Sequence, residues 1–214
     1  MAAVVMAGGA AAQDAAGWDG WYLGASLDAY AANLTEDEVF TASGTPTGQF
    51  AYSGDGVGAS FFTGRNWQRD AMVYGVEFGV TTGRSVAADI NSSTSSYFYD
   101  TGPMLGVKGR AGYLVRPDTL VFASAGLSVG NLNYNWRVNG VQERGDVWSQ
   151  GYSLGLGVER QIGNGNALRL GLDYLQRDSD DFTTPSIPAL ADYTYSNTYD
   201  EVSVSVGFTH YFGD

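Results

Sequence analysis

The chain alternates between apolar and polar side chains at every second position in eight separate segments. Successive side chains of a β-strand point to opposite faces of its sheet, so this pattern predicts eight strands with one apolar face each. The segments have about the length of the tilted strands that cross a bilayer, which is about 9–11 residues. They cover residues 18–31, 57–67, 73–82, 104–115, 120–130, 148–161, 167–176 and 202–212.

The connections between these segments alternate in length. Three are short and carry the turn residues Asp, Pro, Gly and Asn, whereas four are long and polar. This is the layout of an outer-membrane barrel, with short periplasmic turns and long external loops. The sequence therefore predicts an all-β fold, an eight-stranded antiparallel transmembrane β-barrel. The short connections are 68–72, 116–119 and 162–166, and the long ones are 32–56, 83–103, 131–147 and 177–201.

A soluble lipocalin-like barrel is the alternative, because it also has eight strands. Such a barrel fills its inside with bulky apolar residues and covers its outside with long polar ones. Here the polar face consists mostly of Gly and Ser, which are too small to cover a surface in water. They suit the inside of a narrow barrel and leave the Leu, Val and Tyr face for lipid, so we favour the membrane barrel.

The composition agrees with strands in lipid. Charged residues make up 16% of the chain, against about 25% for an ordinary soluble domain. The net charge of −12 argues against a nucleic-acid partner, because phosphate binding needs a basic surface. The absence of Cys excludes disulfides and thiolate sites, and the single histidine, His210, excludes a multi-histidine metal site. We predict no cofactor and no metal centre.

The first twelve residues are uncharged and end in a run of small side chains. They are typical of the apolar core and cleavage site of a secretory signal, so we interpret 1–12 as a signal-peptide remnant. Residues 13–214 then form a single barrel domain. No other apolar run approaches the 18 or so residues that a spanning helix requires.

Seven charged residues fall on the inward face of the predicted strands. Charges that leave water need partners, so we interpret them as ion pairs that fill the lumen rather than as a catalytic carboxylate pair. Similar depth on neighbouring strands predicts the pairs Glu77–Arg110 and Glu159–Arg169. The seven residues are Asp28, Glu77, Lys108, Arg110, Glu159, Arg169 and Asp173.

His210 is a candidate for a catalytic base. Barrel enzymes of this size that modify lipid A need a His with a nearby Ser, whereas Phe212 stands two positions after His210. The register turns His210 toward lipid near the periplasmic rim, so we predict an interfacial role and no enzyme activity. Phe208 and Phe212 share its outward register, which resembles the terminal-strand signal read by the barrel-assembly machinery.

Several stretches resemble the alphaproteobacterial branch of small outer-membrane β-barrels, the OmpA-like and Opa-like "porin family". The resemblance covers every predicted strand except the fifth, and none of the long loops. Two departures are the His at 210, where the family usually has Tyr, and the two residues that follow Phe212. The stretches that carry the resemblance are 20–25 (GWYLGA), 64–68 (GRNWQ), 73–77 (VYGVE), 105–113 (LGVKGRAGY), 155–159 (GLGVE), 168–170 (LRL) and 206–212 (VGFTHYF).

The resemblance implies the barrel fold and a place in the outer membrane, and only loosely a role. The leading prediction is a structural barrel that presents its loops for envelope integrity, adhesion or ligand interaction. The alternative is a narrow channel for small solutes or ions. An interior of eight strands is just wide enough for side chains to fill, which favours the structural role.

The four long connections carry charges of −4, −1, 0 and −5, together −10 of the total −12. Acidic loops repel anionic lipopolysaccharide unless divalent cations bridge the two, or they serve only to keep the surface soluble. Asp178, Asp180 and Asp181 lack the Gly and Glu of a calcium loop, so no ordered metal site is predicted. The predicted partners are membrane lipid, lipopolysaccharide, the assembly machinery and an unidentified external ligand of a monomeric barrel.

Overall fold

The protein was analysed as a computed structural model, which describes residues 17–82, 84–92 and 95–212, with side chains for 17–82 and 95–212. The predicted signal remnant, 1–12, and the two residues after Phe212 lie outside the described part. Within that part, no helix has the length and apolar character needed to cross a membrane.

The strands form one antiparallel sheet that closes on itself. Neighbours follow the order β1-β10-β8-β7-β6-β5-β3-β2, and β2 pairs with β1 to complete the ring. β4 pairs with β5 above β3 and so continues the same position in the wall, while β9 is a two-residue strand beside β10. The eight-stranded barrel is confirmed. The strands are β1 Gly20–Phe40, β2 Thr45–Arg69, β3 Met72–Thr82, β4 Arg84–Ser92, β5 Ser95–Arg116, β6 Thr119–Val138, β7 Val141–Gly163, β8 Asn166–Ser179, β9 Phe182–Thr183 and β10 Tyr193–Phe212.

The outside of the barrel carries a continuous apolar belt. The lipid-facing register places large aliphatic side chains where half or more of each is exposed, as at Leu127 and Leu156. Most of their neighbours along each strand are Gly, Ser or charged residues that face the lumen, with larger ones such as Tyr22 and Phe62 near the short turns. This arrangement matches the predicted membrane barrel and is the reverse of a lipocalin-like one. Further members of the belt are Leu23, Leu27, Val57, Phe61, Phe78, Leu105, Leu154, Leu170, Val204 and Val206.

Beyond the apolar belt, toward the long connections, the apolar and polar side chains exchange faces. In β6 the outward positions change from Leu127 and Val129 to Asn133 and Asn135, while the inward positions become large and buried, as at Trp136. β6 is therefore a membrane strand in one half and a water-exposed strand in the other. The exchange marks the edge of the lipid-facing surface.

The predicted long loops are largely strand. β1 and β2 stay paired up to Phe40 and Thr45, and β6 and β7 stay paired up to a two-residue turn. That turn is Asn139-Gly140, with φ of 51° and 81°, the left-handed geometry that a tight hairpin needs. The connections are as long as predicted, but most form β-hairpin extensions because their inward side chains pack into a second core. The 180–192 connection is the most irregular of those described.

Candidate functional site

The lower lumen, at the end with the short turns, is closed by a network of two carboxylates and two guanidinium groups. Arg169 donates two hydrogen bonds to Glu77, at 2.6 and 3.1 Å. Arg110 donates to Glu159 at 3.0 Å and lies 3.5 Å from Glu77, so the four charges form one connected unit. All four side chains are buried, which makes the network a charge-neutral plug.

Aromatic side chains complete the plug. The Tyr22 hydroxyl donates to Glu77 and accepts from Arg110, and the Tyr211 hydroxyl donates to Glu159. The Phe122 ring lies 4.0 Å from the Arg110 guanidinium and 4.9 Å from that of Arg169. These contacts satisfy the charged groups and exclude water from their faces.

Glycine makes room for the plug at two positions. A Cβ added to Gly24 would overlap the Phe62 ring, and one added to Gly157 would overlap the Phe122 ring. The small residues of the inward face therefore complement the large ones across the lumen. The sequence pattern alone indicated an inward face of mostly small residues. In the structure, glycines on some strands leave room for large inward side chains on others.

The hydrogen-bonded partners differ from the predicted pairs. Glu77–Arg110 and Glu159–Arg169 approach within 3.5 and 3.6 Å but are ion pairs without a hydrogen bond. The prediction considered only neighbouring strands. Glu77 on β3 and Arg169 on β8 face each other across the barrel, and the lumen is narrow enough for the long arginine side chain to span it.

A polar cavity of about 120 Å³ lies above the plug. Lys108 and Asp173 form an ion pair of 2.5 Å on its wall, each about a quarter exposed. Asp28 accepts hydrogen bonds from Ser26 and Ser60 at 2.8 and 2.6 Å. The volume corresponds to about four water molecules, so the cavity is small, and apolar side chains such as Phe62 and Leu175 share its wall with the polar ones.

An aromatic lid closes the other end of the lumen. Trp136 is fully buried at its centre, with ring centroids of Tyr195 at 4.8 Å and of Tyr97 at 5.2 Å. The connection between β8 and β10 folds over it and buries Ile187. The cavity is thus bounded by a charged plug below and an aromatic lid above.

Glu36 is buried inside the lid. It lies above the lipid-facing part of β1 and accepts hydrogen bonds from Tyr52, at 3.3 Å, and from Tyr99. Burial raises the pKa of Glu36 to about 8; the Tyr52 hydrogen bond lowers it and the nearby Glu38 carboxylate raises it. Sequence analysis missed this residue because it lies in a segment predicted to be a solvated loop.

His210 and the two phenylalanines lie on the outward face of β10, as the register predicts. His210 is half-buried, within hydrogen-bond distance of Asn166 at 2.8 Å, and packs edge-on against Phe212. Phe208 and Phe212 are 45% and 49% exposed toward the lipid side. Their role in assembly stays a prediction.

The comparisons with known proteins agree with this geometry. A family model of the outer membrane protein beta-barrel domain matches residues 1–212. The chain belongs to this family of outer-membrane β-barrels. It is also 31% identical, over 193 residues, to a 22 kDa outer membrane protein of Rhizobium leguminosarum bv. viciae, covering 90% of this chain and 77% of that one.

The fold of this chain is also similar to solved structures of outer-membrane barrels. OprG from Pseudomonas aeruginosa superposes with a TM-score of 0.56 at 10% identity, over 92% of this chain and 99% of OprG. The outer membrane protease OmpT from Escherichia coli gives a TM-score of 0.47 at 10% identity, over 91% and 97%. The first likeness supports the barrel fold; neither bears on activity.

We expect the Glu77–Arg169 pair, which spans the lumen, to contribute most to the stability of the plug. Glu77→Gln strands the buried Arg169 guanidinium and should lower the free energy of unfolding by about 3–5 kcal/mol. The matched control is Lys108→Gln, because the partly exposed Lys108–Asp173 pair should contribute about 0–1 kcal/mol. Urea unfolding of the refolded barrel measures both. A double-mutant cycle with a larger coupling for Glu77–Arg110 than for Glu77–Arg169 would contradict the assignment.

We also expect the buried Glu36 in the lid to lower the free energy of unfolding as the pH rises. Glu36 keeps its proton to about pH 8 in the folded chain but loses it near 4.5 when unfolded. The unfolded state therefore releases the proton first, and stability decreases as the pH rises through that window. Glu36→Gln should remove this decrease, whereas Asp37→Asn, on the exposed face of the same strand, should keep it. Unfolding midpoints from pH 4 to 9 test this, and equal slopes for wild type and Glu36→Gln would count against it.

Proposed function

We propose that the protein is a closed structural barrel of the outer membrane that presents its β-hairpin extensions at the cell surface. The observation that carries this proposal is the filling of the lumen at two levels. The plug around Glu77 and Arg169 blocks the lower half, and the lid around Trp136 blocks the upper half. Because the lumen is filled, we infer that the protein acts through its outer surfaces and not through a pore.

The hairpin extensions support a role in contacts with the cell's surroundings. Their outward faces are largely polar, and the four connections carry a formal charge of −10, which includes the buried Glu36, Arg177 and Glu201. Their inward side chains pack into the lid, which makes them stiff compared with open loops. We infer a role in envelope integrity, adhesion or ligand interaction, with lipopolysaccharide bridged by divalent cations as one contact. The absence of enzyme activity and a monomeric state are part of the same proposal.

The second candidate is a narrow channel, which the polar cavity favours. Its wall holds charged groups and six serines, a lining that would suit a hydrated solute. The two closures oppose this candidate, since a solute would have to pass both. The serines are Ser26, Ser60, Ser128, Ser153, Ser203 and Ser205.

Conductance in planar bilayers separates the two candidates. We expect the reconstituted protein to show no steady openings on the scale of a general porin, which serves as the positive control in the same bilayer. Lys108→Gln changes a charge on the cavity wall and should be equally silent. Steady openings whose ion preference changes with Lys108→Gln would favour the channel and defeat the structural proposal.

The orientation of the hairpins can be tested because the chain has no cysteine. Ser43→Cys places a thiol at the tip of the β1–β2 hairpin, and Arg116→Cys places one beside a short turn; both positions are exposed. On intact cells, a membrane-impermeant maleimide should label the first variant and not the second. After lysis both should react. Labelling of Arg116→Cys alone on intact cells would reverse the proposed orientation.

A further inference from the structure

A belt of aromatic side chains crosses five adjacent strands near the short turns, β10, β1, β2, β3 and β5. Each points outward and is about half exposed, with values from 46 to 54%. Tyrosine and tryptophan prefer this depth because they place an apolar ring in the lipid and a polar edge at the headgroups. The belt therefore marks the level of a phospholipid headgroup layer. Its members are Trp21, Trp67, Tyr74, Tyr113 and Phe212.

Arg65 lies within this belt on the outward face of β2. Its guanidinium carbon is 5.8 Å from the Trp21 ring and 5.6 Å from the Trp67 ring. Trp21 is its register partner on β1, and Trp67 is two residues further along β2. The two indoles hold the guanidinium by cation–π contact and limit the positions that it can reach.

Among the residues that the structure describes, no carboxylate balances the charge of Arg65. Its Nε is covered and has no hydrogen-bond partner, and no carboxylate among the described residues lies within ion-pair distance of the guanidinium. Arg160, another outward arginine at the same end, differs because it pairs with Asp118 at 3.4 Å. A cation next to hydrocarbon needs an anion, so the partner of Arg65 must come from outside the described chain.

We propose that Arg65, held between Trp21 and Trp67, binds the phosphate of a phospholipid headgroup in the leaflet at the short-turn end. Phosphate is the anion present at this depth, and the planar guanidinium binds it through two parallel hydrogen bonds. The acidic hairpins lie at the opposite end, so the site is distant from the most negative part of the surface. The inference is independent of the surface role proposed above, since it concerns the other end of the barrel.

Native mass spectrometry of the full chain in an uncharged detergent tests the site. The probe is dioleoyl phosphatidylglycerol, and the matched neutral lipid is dioleoyl glycerol, which has the same acyl chains without the phosphate. We expect the wild type to retain one phosphatidylglycerol and Arg65→Gln to bind it about tenfold more weakly, from the loss of a charge-assisted hydrogen bond. Arg160→Gln, which disrupts a compensated cation at the same end, should bind as the wild type does.

Further variants and ligands keep the test decisive. Arg65→Lys keeps the charge but lacks the planar guanidinium, so its affinity for phosphatidylglycerol should lie between those of the wild type and Arg65→Gln. This variant also keeps the test informative if Arg65→Gln does not fold. Equal retention by wild type and both Arg65 variants would overturn the proposal. Equal retention of the neutral lipid would show apolar adhesion only, and displacement by an equal concentration of inorganic phosphate would show a general anion site; either result overturns it.

Discussion

The structure depends on one constraint: a backbone in lipid must satisfy every N–H and C=O group within the protein. A sheet meets this constraint only when it has no free edge, so the chain must close its first strand on its last. β1 pairs with β10 without a register shift from Trp21–Phe212 to Phe40–Tyr193. Closure with eight strands fixes a narrow lumen, and the narrow lumen requires the small inward residues and the compact plug.

The sequence predicted the membrane half of the fold well because lipid leaves a simple signal. Apolar side chains face outward at every second position. Seven of the eight predicted segments lie within strands, and the first begins two residues before β1. The upper half was interpreted as loops because its outward residues are polar. Its inward residues, such as Leu132, Tyr134 and Trp136, continue the same period with the faces exchanged. That exchange was visible in the sequence, and a test for both phases would have found it.

The sequence predicts which charged residues belong to the lumen better than it predicts which of them pair with each other. Parity along each strand assigns the seven charged residues to the inward face, because strand geometry fixes which face a residue occupies. It could not identify partners across the lumen, since contact between β3 and β8 depends on how the whole ring closes. Tyr22 and Tyr211 were missed for a related reason: their hydroxyls matter only because Glu77 and Glu159 lie beside them in the closed barrel.

The distribution of charge then follows from the same constraint. Within the plug the two carboxylates and two guanidinium groups compensate one another, as do Lys108 and Asp173 on the cavity wall. Other charged groups lie outside the plug, among them exposed carboxylates on the hairpins, such as Asp37, and the Arg65 guanidinium within the aromatic belt. The hairpins offer exposed carboxylates, whereas the short-turn end offers the Arg65 guanidinium, which has no counter-charge among the described residues.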